Sequence, residues 1–206
     1  MARIEEVDIT GLGLLMMDDP SRSKGLHLST IIGSIMEEMY PDKYGGSKDQ
    51  TFVNRVEFGL MWERSLEIAL ARECIDTNEG LCRPPEQEED GIYMSPDGMA
   101  LFNNGKAKVR VNEYKSTWKS APSEKKHTTI EDPKFMAWWM QLKAYCRAMG
   151  TRYGRLIVYF INGDYAQGYV PQLRAWDATF TQEDLDLNWS MIIRQAQSKG
   201  WLLKEE

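Results

Sequence analysis

Residues 95–117 read SPDGMALFNNGKAKVRVNEYKST. Asn103-Asn104-Gly105 separates two strand-like runs, GMALFN and KVRVNEYKS. Asn and Gly tolerate positive φ, so the spacing predicts an antiparallel hairpin. In a strand, residues two apart share a face, so Glu113 and Lys115 project together and Tyr114 points away. Asp97 lies in a Pro-Asp-Gly turn between GIYMS and GMALFN, and the hairpin carries Glu113 towards it. Two carboxylates at close range repel, and they need a cation, a shared proton or separation. Oxygen ligands of this kind suit Mg2+ or Mn2+. Lys115 beside them can hold an attacking water and stabilise charge on a phosphoryl oxygen. The alternative is a surface hairpin with Lys115 ion-paired to Glu113 or Asp97.

The rest of the chain is read outward from this hairpin. Leu28–Met39 reads as a helix, with Ser29 as cap and Ile31, Ile32, Ile35, Met36 and Met39 on one face. PDKYGGSKDQ reads as a loop because Pro and paired Gly break the pattern. Thr51–Glu73 has the 3.6-residue period of a longer helix, and RPPEQEEDG reads as a polar loop. SAPSEKKHTTIEDP is a basic loop. Pro133–Met149 is a helix with Pro in its first turn and Gly150 past its end. Tyr153–Asn162 and Tyr165–Phe180 read as strands. Thr181–Lys199 is a final helix with Thr181 and Asp184 as a capping-box variant. This order predicts an α/β (α+β) fold, a central mixed β-sheet flanked by helices. It forms one domain, with an N-terminal helical part (1–50), a core (51–180) and a C-terminal helix (181–206).

Bulk properties fit a globular chain: 206 residues, 42% hydrophobic and 27% charged. No apolar run approaches a membrane span, and the acidic N-terminus is unlike a secretory signal. Cys74, Cys82 and Cys146 are few, odd in number and without a CxxC, so a reducing cytoplasm is expected and a disulfide framework or zinc site is not. The net charge of −6 is unevenly spread. Glu57–Asp90 holds ten acids against Arg64, Arg72 and Arg83, whereas Lys106–Lys126 holds seven bases against Glu113 and Glu124. Uneven solvated surface explains this, and so does a protein that holds metal in one place and phosphates in another. His27 and His127 read as surface or capping residues, and Trp138 and Trp139 as core.

Two further pieces join the hairpin. Glu63, four residues after Gly59 on the long helix, offers a third carboxylate, with Glu57 and Glu67 as competitors. Gln141 and Tyr145 share one face of an otherwise apolar helix. Taken in order, Gly59…Glu63, Ser95-Pro96-Asp97-Gly98, Glu113-Tyr114-Lys115 and Gln141…Tyr145 resemble the PD-(D/E)XK nuclease superfamily. The resemblance is to its RecB-like, phage lambda exonuclease-like (YqaJ-type) branch, and it spans Thr51–Phe180.

The resemblance implies a restriction-endonuclease-like core and a Mg2+-dependent DNA exonuclease, with Mn2+ as substitute. Asp97, Glu113, the Tyr114 carbonyl and Glu63 would hold metal, Lys115 would position the water, and Gln141 and Tyr145 would shape the site or touch DNA. The product would carry a 5′-phosphate and a 3′-hydroxyl. Lys119, Lys125 and Lys126 would contact the DNA backbone, and Trp118 would stack on a base. The iron–sulfur members of the branch use four cysteines, so no cluster is expected here. The resemblance also implies recombination or DNA processing in a bacterial or phage-infected cell, beside a single-strand annealing protein, and it allows a homo-oligomer. Two other readings stay open: a structure- or site-specific endonuclease, and a non-catalytic DNA-binding or assembly protein.

Overall fold

β6 (Ala107–Thr117) is an eleven-residue strand paired along both edges. The computed structural model describes residues 23–45, 58–66, 68–69, 80–103, 107–164 and 170–203. On one side β6 pairs antiparallel with β5 (Gly98–Asn103), from Gly98 opposite Asn112 to Asn103 opposite Ala107. That register is the hairpin expected from Asn-Asn-Gly. On the other side it pairs in parallel with β7 (Tyr153–Phe160), Glu113 opposite Leu156 and Lys115 opposite Val158. A parallel neighbour needs a crossover, and the chain supplies one through helix α4 (Met136–Ala148). β2 (Gly80–Cys82) adds to β5 and β8 (Gln172–Thr179) to β7, giving a five-stranded mixed sheet in the order β2-β5-β6-β7-β8.

A second, three-stranded mixed sheet has the order β1-β4-β3, formed by Leu26–His27, Ile92–Met94 and Gln87–Glu89. Helix α4 packs on β6 and β7 from one face of the large sheet, and α1 (Leu28–Met39) and α5 (Gln182–Ser198) pack against α4 and each other. Their core holds Ile31, Ile35, Leu142, Leu185 and Ile192 against Val111, Leu156, Val158 and Phe160. On the opposite face, helical residues 58–66 (α3) bring Leu66 and Trp62 onto Tyr114 and Ile157. The fold is thus α+β, with mixed sheets flanked by helices. Among the described residues no helix is long and apolar enough to cross a membrane.

Several expectations are corrected. The polar stretch after Arg83 contains β3, because Gln87, Glu88 and Glu89 pair with Met94, Tyr93 and Ile92. Backbone pairing, which their side chains do not advertise, decides it. Pro41–Tyr44 forms a short helix, α2, where a loop was expected, since Pro is well placed in a first turn. α1 starts at its expected residue, but its cap position is His27, which makes no side-chain cap bond, and Met39 is exposed. Pro133–Phe135 is a 3-10 turn that leads into α4. The basic loop contains a second such turn at Glu124–Lys126. Of the helix expected over Thr51–Glu73, residues 58–66 and 68–69 are helical and the others lie outside the described residues, as do Asn104-Gly105 and residues 165–169.

The capping box of α5 is present as expected. Thr181 accepts from the Asp184 N–H at 3.0 Å, and Asp184 Oδ2 accepts from the Thr181 N–H at 3.0 Å. Thr181→Ala is expected to cost roughly 1 kcal/mol. It should appear as a lowered urea midpoint at unchanged slope.

Candidate metal centre

Glu113 sits where an apolar side chain would be expected. Its face of β6 also carries Val111, and its partner across the ladder is Leu156; all three are fully buried. Burying a carboxylate among hydrocarbon costs free energy unless a charge or donor meets it. Two groups do. The Lys115 amine forms an ion pair with Glu113 Oε1. Asp97, itself buried, immediately precedes Gly98, which pairs with Asn112, so it lies beside Glu113. Glu113 Oε2 is buried and has no hydrogen-bond partner among the described residues.

Asp97 does not lie in a hairpin turn as the sequence suggested. β4 and β5 belong to different sheets, so Pro96-Asp97 is the point where the chain passes from the small sheet to the large one. The carboxylate is fixed there because Oδ2 accepts from the Tyr114 N–H at 2.7 Å. The Tyr114 ring points to the opposite face, as alternation requires, and packs with Leu66 and Ile157. A Cβ at Gly98 would stand 2.3 Å from the Tyr114 hydroxyl. Glycine directly after Asp97 therefore leaves the space over β5 that the Tyr114 ring occupies.

The charges act strongly on one another. Burial first, then the Asp97 charge, pushes the Glu113 carboxyl well above the usual carboxylate range, against the opposing pull of Lys115. Burial alone would lower the Lys115 amine, but Glu113 and Asp97 outweigh it and hold its proton more firmly than usual. Glu63 adds to that hold, so α3 brings its charge to the site. Its carboxylate, however, lies 3.1 Å from Arg83. Among the described residues no three His, Cys, Asp or Glu side chains gather as a metal-holding group, and the acidic pair is Asp97 with Glu113. Glu57 and Glu67, the competitors for the third place, lie outside the described residues.

Helix α4 closes the site from its own side. Gln141 Nε2 donates to the Tyr145 hydroxyl at 2.7 Å, so the pair shares a face as expected. Burial raises the Tyr145 hydroxyl well above its ordinary pKa, and the charges of Glu113 and Asp97 add to this. Cys146 next to it is a buried free thiol, pushed up to about 12 by burial and then by Glu113.

The expected DNA contacts divide. Trp118 is 41% exposed at the end of β6, backed by Phe58 at 5.4 Å between ring centroids. Lys125 and Lys126 are exposed on their 3-10 turn, with Lys126 3.4 Å from the buried Asp164 carboxylate. Lys119 instead turns inward, onto Tyr44 and the Lys134 carbonyl. Sequence reasoning missed Arg83 as the partner of Glu63, and missed Lys43, Tyr44 and Lys134 around Lys119. For Arg83 the one available signal was its place as a base in an acidic stretch.

A buried carboxylate oxygen without a donor, facing a second carboxylate, fits a divalent cation. No protein-family model matches the chain. No curated protein matches it. Among solved structures, the crystal structure of SSO0001 is similar over 97% of this chain and 89% of its own, at 15% identity and a TM-score of 0.49. The crystal structure of LHK-Exo, an alkaline exonuclease from Laribacter hongkongensis, is similar over 84% of this chain and 87% of its own, at 13% identity and a TM-score of 0.48. LHK-Exo in complex with dAMP is similar over 85% and 89%, at 12% identity and a TM-score of 0.46.

Lys115→Met would leave Glu113 and Asp97 facing each other without a cation. The expected loss at pH 7 is roughly 3 kcal/mol, the lower end for breaking a buried ion pair, because the lysine side chain is 22% exposed. Glu113 has a folded pKa above its unfolded value. Its stabilising contribution is therefore fully present below the unfolded value and is lost as pH rises through the folded one. Lys115 is a pull that lowers the Glu113 carboxyl, so without it Glu113 takes up its proton more readily, and the deficit of Lys115→Met should shrink as pH falls from 7 towards 5. Urea unfolding at several pH values measures it, and a pH-independent deficit would show that Glu113 carries the same charge in both proteins over that range.

Proposed function

We propose that this protein is a metal-dependent deoxyribonuclease that hydrolyses phosphodiester bonds at DNA ends. The observation that carries the reading is the buried Glu113 carboxylate, set in an apolar wall beside Asp97 and capped by Lys115. A structural salt bridge needs one acid and one base. A second buried acid raises the cost, and a divalent cation offsets it. Asp97 and Glu113 would hold Mg2+, or Mn2+ in its place, with the Tyr114 carbonyl as a further ligand. Glu63 would complete the set by exchanging Arg83 for the cation. Bound there, the ion would polarise the scissile phosphate, activate a water and offset charge on the leaving oxygen.

The residues around it have separable tasks. Lys115, on the same face of β6 as Glu113 and ion-paired with it, would serve as a donor and a charge, orienting the water and meeting the phosphoryl oxygen. Gln141 fixes the Tyr145 hydroxyl and with it the α4 wall of the site. The exposed indole of Trp118 supports stacking on an unpaired base, and Lys125 and Lys126 support sequence-independent backbone contact. A role in recombination beside an annealing protein follows from the sequence resemblance alone.

Linear and covalently closed circular duplex DNA, incubated with the protein in Mg2+, test the proposal with Lys115→Ala as control. The expected result is loss of the linear form only, abolished in the variant. Cutting of circles would make the protein an endonuclease on the same site. A second readout needs no activity: Mn2+ should raise the melting temperature of the wild type and not of Asp97→Asn. Neither cleavage of any strand nor stabilisation by Mn2+ would leave the non-catalytic reading.

A further inference from the structure

Three lysines from three parts of the chain meet beyond the C-terminal end of β6. Lys119 follows the strand, Lys43 comes from α2, and Lys134 from the 3-10 turn before α4. The Lys119 amine donates to the Lys134 carbonyl at 2.6 Å and stands 3.3 Å from the Tyr44 hydroxyl. It lies between two aromatic rings, 5.2 Å from the Trp138 centroid and 5.8 Å from that of Tyr44. The Lys134 amine donates to the Ser120 carbonyl at 3.3 Å and lies over Phe135, while that of Lys43 lies over Tyr40.

All these partners are neutral. Among the described residues none of the three lysines forms an ion pair with a carboxylate; Asp132 acts on Lys134 electrostatically. Like charges act here too: Lys134 and Lys43 on Lys119, and Lys126 on Lys134. Lys119 is brought down to about 8, by burial first and then by Lys134 and Lys43. Holding a half-buried ammonium among other ammonium groups costs free energy that neutral oxygens only partly offset. An anion with several charged oxygens removes that cost, because it accepts from more than one amine at once. A phosphoryl group has that chemistry, and a lone carboxylate matches three cations less well.

We propose that Lys43, Lys119 and Lys134, with the Tyr44 hydroxyl, form a phosphate-binding site distinct from the Asp97–Glu113 centre. Lys119 lies four residues after Lys115, at most roughly 14 Å along an extended chain. A strand with its scissile phosphate at Asp97 and Glu113 would therefore reach the lysines within a few nucleotides. In that respect the site rests on the nuclease reading and adds a second foothold for the strand. Its ligand is either a phosphodiester of nucleic acid or a free phosphoryl anion, and the two are separable by experiment.

The whole chain, without divalent metal at pH 7, is titrated by calorimetry with inorganic phosphate and separately with 5′-hydroxyl tetrathymidylate. Lys43→Gln and Lys119→Gln are each expected to weaken binding about tenfold, the scale of one hydrogen bond to a charged group. Lys24→Gln, an exposed lysine elsewhere, should leave it unchanged. Loss with tetrathymidylate assigns the site to strand phosphates; loss with phosphate alone assigns it to a free anion. Lys43 is exposed, so Lys43→Gln decides the matter if Lys119→Gln does not fold. The proposal is overturned if neither ligand binds, or if both bind Lys43→Gln and the folded Lys119→Gln as tightly as wild type. A protein that binds in this way yet cuts no DNA in Mg2+ keeps the phosphate site and loses the nuclease reading.

Discussion

One carboxylate in the wrong medium organises this molecule. Glu113 is fully buried on the apolar face of β6, between residues that form the main core. A neutral isostere there would cost less, and so would an aliphatic residue of similar volume. The fold instead places a second acid beside it and a lysine two residues on. The three groups must keep fixed positions, because small movements change energies that scale inversely with distance in a poorly screened interior. Rigidity at β6 is thus a requirement of the electrostatics.

The scaffold meets that requirement with backbone more than with side chains. β6 is clamped by an antiparallel hairpin on one edge and a parallel strand on the other, so it cannot slip by one residue without turning Glu113 to the opposite face. Asp97 is fixed by a main-chain N–H at 2.7 Å. The residue that donates, Tyr114, lies between Glu113 and Lys115 and anchors its ring in the opposite core. The absence of a side chain at Gly98 lets that ring lie close to β5. Hydrogen bond, ring and glycine together set the distance between the two acids.

How much of this the sequence revealed follows from the range of the forces involved. The hairpin, α1, the α5 cap and the shared face of Glu113 and Lys115 are local, set by turn chemistry and by periods of 2 and 3.6 residues. They were legible. β3 was not, because Gln87-Glu88-Glu89 has the composition of a loop and becomes a strand only by pairing with β4. Nor was the sheet change at Pro96-Asp97, since both neighbours are short strands and only their partners distinguish them. The Glu63–Arg83 pair and the inward turn of Lys119 depend on residues 20 and 75 positions away, and no local pattern encodes either.

The two lysines at the end of β6 show how far environment outweighs residue type. Lys115 and Lys119 are four positions apart, and burial lowers the proton affinity of each. Lys115 meets carboxylates, which overcome the penalty and leave it a firmly held cation. Lys119 meets two other lysines, and its pKa falls to about 8. A fixed positive charge beside paired acids offsets the repulsion between them. A cation held among cations suits a group that gains most when an anion arrives. The same side chain thus supplies, within a few residues, a permanent charge at the candidate centre and a conditional one beyond it. A polyanionic strand passing both would be gripped at the centre by metal and lysine, and further along by neutralising a cluster that is costly while empty.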